Sequence, residues 1–428
     1  MQIDLNPALA SPLLSVMNFL NEVTLEFPDA ISFAPGRPAE SFFDVAGALT
    51  KLESFVAYRS RQTGQPPAAI RTGLGQYGKT NGIINDLIAR YLATDERIDA
   101  AADAIMVTSG AQEAMSILLQ GLFAPDRDVL LVSEPNYIGM TSAARVLGIE
   151  IEPIPVDPDG VQLGALRDAI ERVRRRGRRP KAFYDIPDFH NPLGTALALE
   201  RRHELLRIAA DTGVLVIEDN PYGMFAYDAA RLPTLKSLDR DGSVIYIGTF
   251  SKTLFPALRI GYLVADQPVA AGPERTWPLA AELSKVKSIT SVNTSGILQA
   301  IVGGILIESE CSLEARIADK IAYCKGNRDH MLIALERCFG AGTPFGGALT
   351  WNRPRGGYFL TVETPLVWTE QAVRTCARDF GVIVCPMSFF SQTPGRERQI
   401  RLSFSYVSAE EIDGGIDRLR AFLARGVT

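Results

Sequence analysis

The chain has 428 residues, 46% of them hydrophobic and 22% charged, with a formal net charge of −5. That length can enclose the cores of two domains, and the acid excess argues against the basic footprint of a nucleic-acid-binding surface. Cys311, Cys324, Cys338, Cys376 and Cys385 show no CxxC spacing and no clustered histidines, and neither a signal-peptide pattern nor a long apolar run is present. Reduced thiols, no metal centre, no membrane contact and a cytoplasmic location are the expectations.

In chain order, the first fifty residues lack a strand–helix rhythm and are expected to join a small domain and lie over a cleft. From about Phe55 the pattern changes. "AIMVTSG" is an apolar run ending in Ser109-Gly110, and "AQEAMSILLQGLF" has helical spacing. The runs "DVLLVSEP", "GIEIEPIPV", "KAFYDIPD", "GVLVIEDNP", "SVIYIGTFS" and "IGYLVAD" follow, several separated by amphipathic stretches. Continuous apolar strands between helices are covered on both faces, which predicts an α/β domain with a mostly parallel sheet. The basic run "RVRRRGRRPK" lies at a predicted helix end before a strand and reads as a solvated face. Beyond about Gly304, "CSLEARIADKIAYCKGNRDHMLIALERCF" predicts one long amphipathic helix. "GGALTWNRPRGGYFLTVETP" predicts two strands, "QAVRTCARDFGVIVCP" helix then strand, and "QIRLSFSYVSAEEIDGGIDRLRAFL" strand then helix. The predicted division is an N-terminal arm with part of the small domain over 1–54, a large α/β domain over 55–304, and a smaller α+β domain over 305–428.

Four features sit where strands end. Lys252, in "GTFSKTLFPALRIGY", follows an apolar strand; a lysine there can form a Schiff base with an aldehyde, or it can be a solvated loop residue. Thr249 and Arg259 flank it and can both bind phosphate. In "VTSGAQEAM" a strand gives way at Gly110 to a helix starting at Ala111, an arrangement suited to anions. Asp219, in "VLVIEDNPYG", can pair with a protonated ring nitrogen or merely cap a helix; Tyr222 follows it. Asn191, in "DFHNPLG", can hold a phenolic oxygen or simply form a turn with Pro192.

In this order, together with "FAPGRP", "GQYGKTNG", "EPNY", "GGYFL" and "RLSFSYV", these stretches resemble the fold-type I pyridoxal-phosphate enzymes over nearly the whole chain. The similarity is to class I/II aminotransferases of the aspartate aminotransferase superfamily, in the branch with 2-aminoadipate and kynurenine aminotransferases. The resemblance implies pyridoxal 5'-phosphate as cofactor and a homodimer with composite sites. It implies that Lys252 is the Schiff-base lysine, Asp219 the partner of the pyridine nitrogen, and Asn191 and Tyr222 the ligands of the phenolic oxygen. Tyr137 would stack on the ring. Gly110, Ala111 and Gln112 would form the phosphate loop, completed by Thr249 and Arg259, with Tyr77 reaching the neighbouring subunit's phosphate. Arg401 would grip the substrate α-carboxylate, Asn191 would share in binding the substrate, and Gly36 would leave room for the carboxylate. Three departures bear on substrate choice and reaction type: Ala111 where serine is usual, His190 where glutamine is common, and Ile138-Gly139 after the stacking tyrosine.

The implied reaction moves an amino group between an L-α-amino acid and a 2-oxo acid, with arylglycine-forming transaminases of peptide-antibiotic pathways close in style. The same scaffold also carries natural-product tailoring enzymes (C–S lyases, decarboxylative deaminases, oxidases) and transcription regulators, since a fold does not fix a reaction. A regulator needs an N-terminal winged-helix domain, whereas "FAPGRP" falls within the first forty residues.

Overall fold

The computed structural model describes residues 3–270 and 276–426. Its large sheet has eight strands in the order Ile105–Thr108, Gly261–Val264, Val244–Thr249, Leu215–Asp219, Arg179–Asp185, Asp128–Glu134, Glu150–Asp157 and Gly160–Val161. The five from Val244–Thr249 to Glu150–Asp157 pair in parallel. Gly261–Val264 runs antiparallel to both its neighbours, so Ile105–Thr108 points the same way as the parallel set.

The uninterrupted apolar runs follow from what covers the sheet. Successive strand residues point to opposite faces. Leu131, Phe183, Val216 and Val244 pack against Leu166, Ile170, Leu205 and Ile208 of helices Leu163–Arg175 and Leu199–Thr212. Their chain neighbours Leu130, Val132, Ala182, Tyr184, Ile217 and Ile245 join the opposite core with Met115, Leu118 and Leu283. Each fully buried side chain of this kind contributes about 1.5–3 kcal/mol, and a polar residue on either face would lose that and its own hydration.

A second sheet is antiparallel, in the order Thr350–Trp351, Phe359–Glu363, Gln399–Ser403, Cys385–Pro386. Its core unites Leu360, Val362, Ile400 and Leu402 with Ile412, Ile416 and Leu419 of helix Ala409–Gly426. The N-terminal segment belongs to this core through Val16, Phe19 and Phe33, and Ile31–Ser32 pairs in parallel with Val382–Ile383. Helix Glu314–Phe339 serves both cores: Ile317 and Cys324 lie in the first, Met331, Leu335 and Phe339 in the second. Residue 54 lies inside helix Val45–Thr63, and residue 304 inside Gly296–Glu308, which packs against it. Among the described residues no helix is long and apolar enough to cross a membrane, and no group of histidine, cysteine or carboxylate side chains has metal-binding geometry.

Candidate active site

A cavity of about 340 Å³ opens at the carboxyl edge of the large sheet, the edge where open α/β folds place their ligands. Its lining includes Ala111 and Gln112 from the segment after Thr108, Tyr137 after Glu134, Asn191 after Asp185, Asp219 and Tyr222, and Lys252 after Thr249. Arg259 reaches this edge because Gly261–Val264 is antiparallel: its start, not its end, lies beside Thr108 and Thr249, both of which pair with Gly261.

The polar groups at one end form a cup. Gly110 stands at φ 82 and caps helix Ala111–Leu122. That helix start supplies free N–H groups and the positive end of a dipole. The Arg259 Nη2 donates to the Ser109 carbonyl at 3.2 Å; a side chain on Gly110 would be strained at its positive φ, and its Cβ, 2.4 Å from that nitrogen, would push the guanidinium aside. The Thr249 hydroxyl donates to the Ser251 hydroxyl at 3.0 Å. Tyr137 caps helix Ile138–Val146 and donates to the Gln112 Oε1 at 3.4 Å.

Deeper in, the Asp219 Oδ2 accepts from the Tyr184 hydroxyl at 2.8 Å, while its Oδ1 is buried without a partner. Burial pushes this carboxyl up to about 7, against the Tyr184 hydrogen bond and the charge of Lys252. The Lys252 Nζ donates to the Gly36 carbonyl at 2.7 Å. Burial first, then Arg401 and Arg259, lowers this amine to about 8, with Asp219 opposing. Burial also raises the Tyr222 hydroxyl, to which the Asn191 side chain is hydrogen-bonded.

At the far side, Arg401 projects from the second sheet. Its Nη1 donates to the Asn191 Oδ1 at 2.7 Å and its Nη2 to the Ala34 carbonyl, while its Nε is buried without a partner. The guanidinium lies 4.2 Å from the Phe359 ring centre and 4.7 Å from that of Phe390. A Cβ on Gly36 would strike the Phe359 ring at 2.3 Å, so Gly36 lets the N-terminal loop close over the same ring. Leu20, Asn21 and Thr24 of helix Pro12–Glu26 complete the wall.

A family model for aminotransferases of class I and II matches residues 54–419. The chain belongs to that family. It is 44% identical over 419 residues to an (S)-3,5-dihydroxyphenylglycine transaminase of Amycolatopsis orientalis, covering 98% of this chain and 93% of that one. It is 30% identical to aromatic-amino-acid aminotransferase 1 of Thermococcus litoralis, over 92% and 88% of the two chains. Its fold matches the kynurenine aminotransferase of Pyrococcus horikoshii with a TM-score of 0.83 at 27% identity, across 100% and 98% of the chains. The protein is therefore a fold-type I transaminase dependent on pyridoxal phosphate, and the lyase and regulator readings give way.

The cavity of this aminotransferase fits that cofactor. The orphaned Asp219 Oδ1 lacks the N–H donor that a protonated pyridine ring offers, and the cup offers a hydroxyl, a guanidinium and a helix start to a phosphate dianion. Of the thirteen residues singled out in the sequence, eleven line the cavity and Gly110 borders it through Arg259. Tyr77 does not: it is 83% exposed and outside the lining.

Tyr184, which holds Asp219, carries no motif; its one signal is a tyrosine on a fully buried strand face, where its hydroxyl needs a partner. His190 is buried with its Nε2 3.0 Å from the Ser133 hydroxyl, which in turn donates to the Asp185 Oδ1 at 2.7 Å and accepts from the Asn136 amide at 2.7 Å. Burial lowers His190 to about 3 and raises Asp185 to about 6. The imidazole is thus held neutral against Ser133, outside the cavity lining.

Proposed function

We propose that this aminotransferase exchanges an amino group between an aromatic L-α-amino acid of the arylglycine type and a 2-oxo acid. The arrangement around Arg401 carries the reading. A carboxylate meeting its unpartnered Nε and one Nη would accept a bidentate pair, and the flanking rings of Phe359 and Phe390 keep water from competing. The space between Arg401 and helix Pro12–Glu26 is walled by Leu20, Ile186 and Phe390, with Asn21 and Thr24 as polar groups. That mixture suits a ring bearing hydroxyls, and the 44% identity to a dihydroxyphenylglycine transaminase supports it.

Bound pyridoxal phosphate supplies an electron sink for the Cα–H bond of the substrate. The chain's own residues do the rest. Arg401 fixes the carboxylate, and so sets which Cα bond faces Lys252. The Lys252 amine, with its affinity for protons reduced by burial, takes the Cα proton and returns it. Asp219 would pair with the ring nitrogen, while Thr249, Arg259 and the start of helix Ala111–Leu122 would hold the phosphate. Asn191 and Tyr222 would hold the ring oxygen.

The homodimer is part of the same proposal. Tyr77, Ile289, Val292 and Ile297 are exposed, and helices Pro67–Leu74 and Gly296–Glu308 bring their segments together. A second copy covering this apolar face would place the Tyr77 hydroxyl toward its phosphate cup. A cytoplasmic enzyme of secondary metabolism completes the reading, supported by five buried free thiols and by the dihydroxyphenylglycine relative.

A half-reaction screen at the cofactor absorbance tests the substrate. Phenylglycines and hydroxylated phenylglycines should convert the bound cofactor to its amine form at least about tenfold faster than alanine or aspartate. Faster conversion by an aliphatic or acidic donor would refute the aromatic assignment.

A further inference from the structure

Helix Glu314–Phe339 contributes nothing to the cavity lining, yet one of its lysines touches the turn that carries Lys252. Lys320 is 4% exposed. Its Nζ donates to the carbonyls of Lys252 at 3.2 Å, Thr253 at 2.9 Å and Leu254 at 2.9 Å. An ammonium has three N–H donors, and here three consecutive carbonyls take them. No other donor among the described residues reaches these carbonyls, because the stretch from Ser251 to Leu254 is a turn between strand Val244–Thr249 and the short helix Pro256–Leu258.

We propose that Lys320 is a positioning residue for the transamination: its ammonium fixes the main chain of the Lys252 turn and so sets where the Lys252 amine stands. The strand before Lys252 is anchored by its ladder partners, but the turn after it has left the sheet. Charge-assisted hydrogen bonds from a buried cation are among the strongest available to hold such a segment. The cation has no carboxylate within ion-pair distance among the described residues, so the carbonyl dipoles are what compensate its burial. The lysine lies on the buried stripe of the helix, with Ile317 one turn before it and Cys324 one turn after. Because that helix also packs in the second core, the Lys252 turn is tied to the sheet that carries Arg401. The proton carrier and the carboxylate clamp are thereby held to a common frame.

The test uses Lys320→Met and Lys320→Arg in the full-length enzyme, with Lys325→Met as a control, since Lys325 pairs with Asp329 on the exposed side of the same helix. Three readings are taken: kcat and KM of the half-reaction, the rate at which added pyridoxal phosphate develops its visible band on the apoenzyme, and the melting temperature. Misplacing a reacting group by about 1 Å can cost about 100-fold. Lys320→Met should therefore lower both kcat and the capture rate by at least about tenfold with KM within about threefold, because Arg401 is untouched. Lys320→Arg should recover most of both losses, since its guanidinium restores a cation and several donors. Lys325→Met should change neither. A folded Lys320→Met enzyme with a lower melting temperature but unaltered kcat and capture rate would reduce Lys320 to a structural prop and overturn the proposal. If Lys320→Met does not fold, Lys320→Gln, which keeps two donors and removes the charge, is read by the same criteria, and full activity there overturns it equally. None of these readings depends on which amino acid proves to be the substrate, so an error in the aromatic assignment leaves the test intact.

Discussion

At one end of the cavity, Ala111, Asp219, Thr249 and Arg259 stand on the edge of a sheet whose strands are buried almost throughout. At the other end, Leu20, Gly36, Phe390 and Arg401 come from a helix, a loop, a short turn and a second sheet, drawn from positions 20 to 401 of the chain. The first end is rigid because Asp219 and Thr249 end strands of the parallel ladder, while Ala111 follows and Arg259 precedes strands that pair antiparallel in the same sheet. The second is a meeting of separate elements, each free to vary without disturbing the ladder. The proposed function gives cofactor chemistry to the first end and substrate selection to the second, and variants should separate the two.

The largest effect is expected at Lys252. Lys252→Ala should give no turnover above background and no visible band from lysine-bound cofactor, while the phosphate cup, which it leaves intact, still retains pyridoxal phosphate through dialysis. Activity with a persisting band would remove Lys252 from the chemistry. Asp219→Ala comes next. The ring nitrogen loses its anionic partner, and turnover should fall about 100- to 1,000-fold, as when a transition-state charge partner is deleted, with weaker cofactor retention. Wild-type turnover would make this carboxylate a structural cap.

Arg401→Lys probes the other end. A lysine cannot offer the planar fork, and each lost hydrogen bond to a carboxylate is worth about 1.5–3 kcal/mol. KM for the amino acid should rise about tenfold or more, with the cofactor absorbance unchanged. An altered cofactor spectrum with normal KM would mean that the two ends are not separable in the way their construction suggests.

The same contrast governs what the amino-acid sequence reveals. Residues of the sheet edge are legible because strand, turn and functional side chain are neighbours in the chain, so that "GTFSK" or "IEDNPY" carries its own context. Arg401 and Gly36 are legible through family motifs alone, since nothing within "QIRLSFSY" tells which cavity its strand will face. The antiparallel course of Gly261–Val264 is decided by pairing with two distant strands, although it is what delivers Arg259. Lys320 is the extreme case. In an amphipathic helix a lysine reads as a solvated residue, and its three acceptors lie 66 to 68 positions away. Tyr77 shows the opposite limit: its motif is plain, but it stands exposed and outside the cavity of its own chain.

The smallest predicted effect is a pH dependence at the sheet edge. The Lys252 amine sits at about 8, lowered by burial and by the neighbouring guanidinium charges, whereas an unperturbed lysine titrates near 10.4. Only the neutral amine adds to an aldehyde. For the apoenzyme, the rate of pyridoxal phosphate capture should therefore rise about tenfold per pH unit below 8 and level off above it; at pH 7 it should be about one-tenth of the plateau. Arg401→Lys keeps a positive charge at the far end and should move this midpoint little. Arg401→Met removes the largest of the charges lowering the Lys252 amine, so its midpoint should shift upward. The sign follows from the charge: a nearby cation disfavours protonation of the amine, and its loss lets the proton stay on to higher pH. A midpoint that remains near 10 in the wild-type apoenzyme would mean that the Lys252 amine is solvated before the cofactor arrives. A midpoint near 8 that ignores Arg401→Met would mean that burial alone sets it, and that the two ends of the cavity are electrically as well as structurally independent.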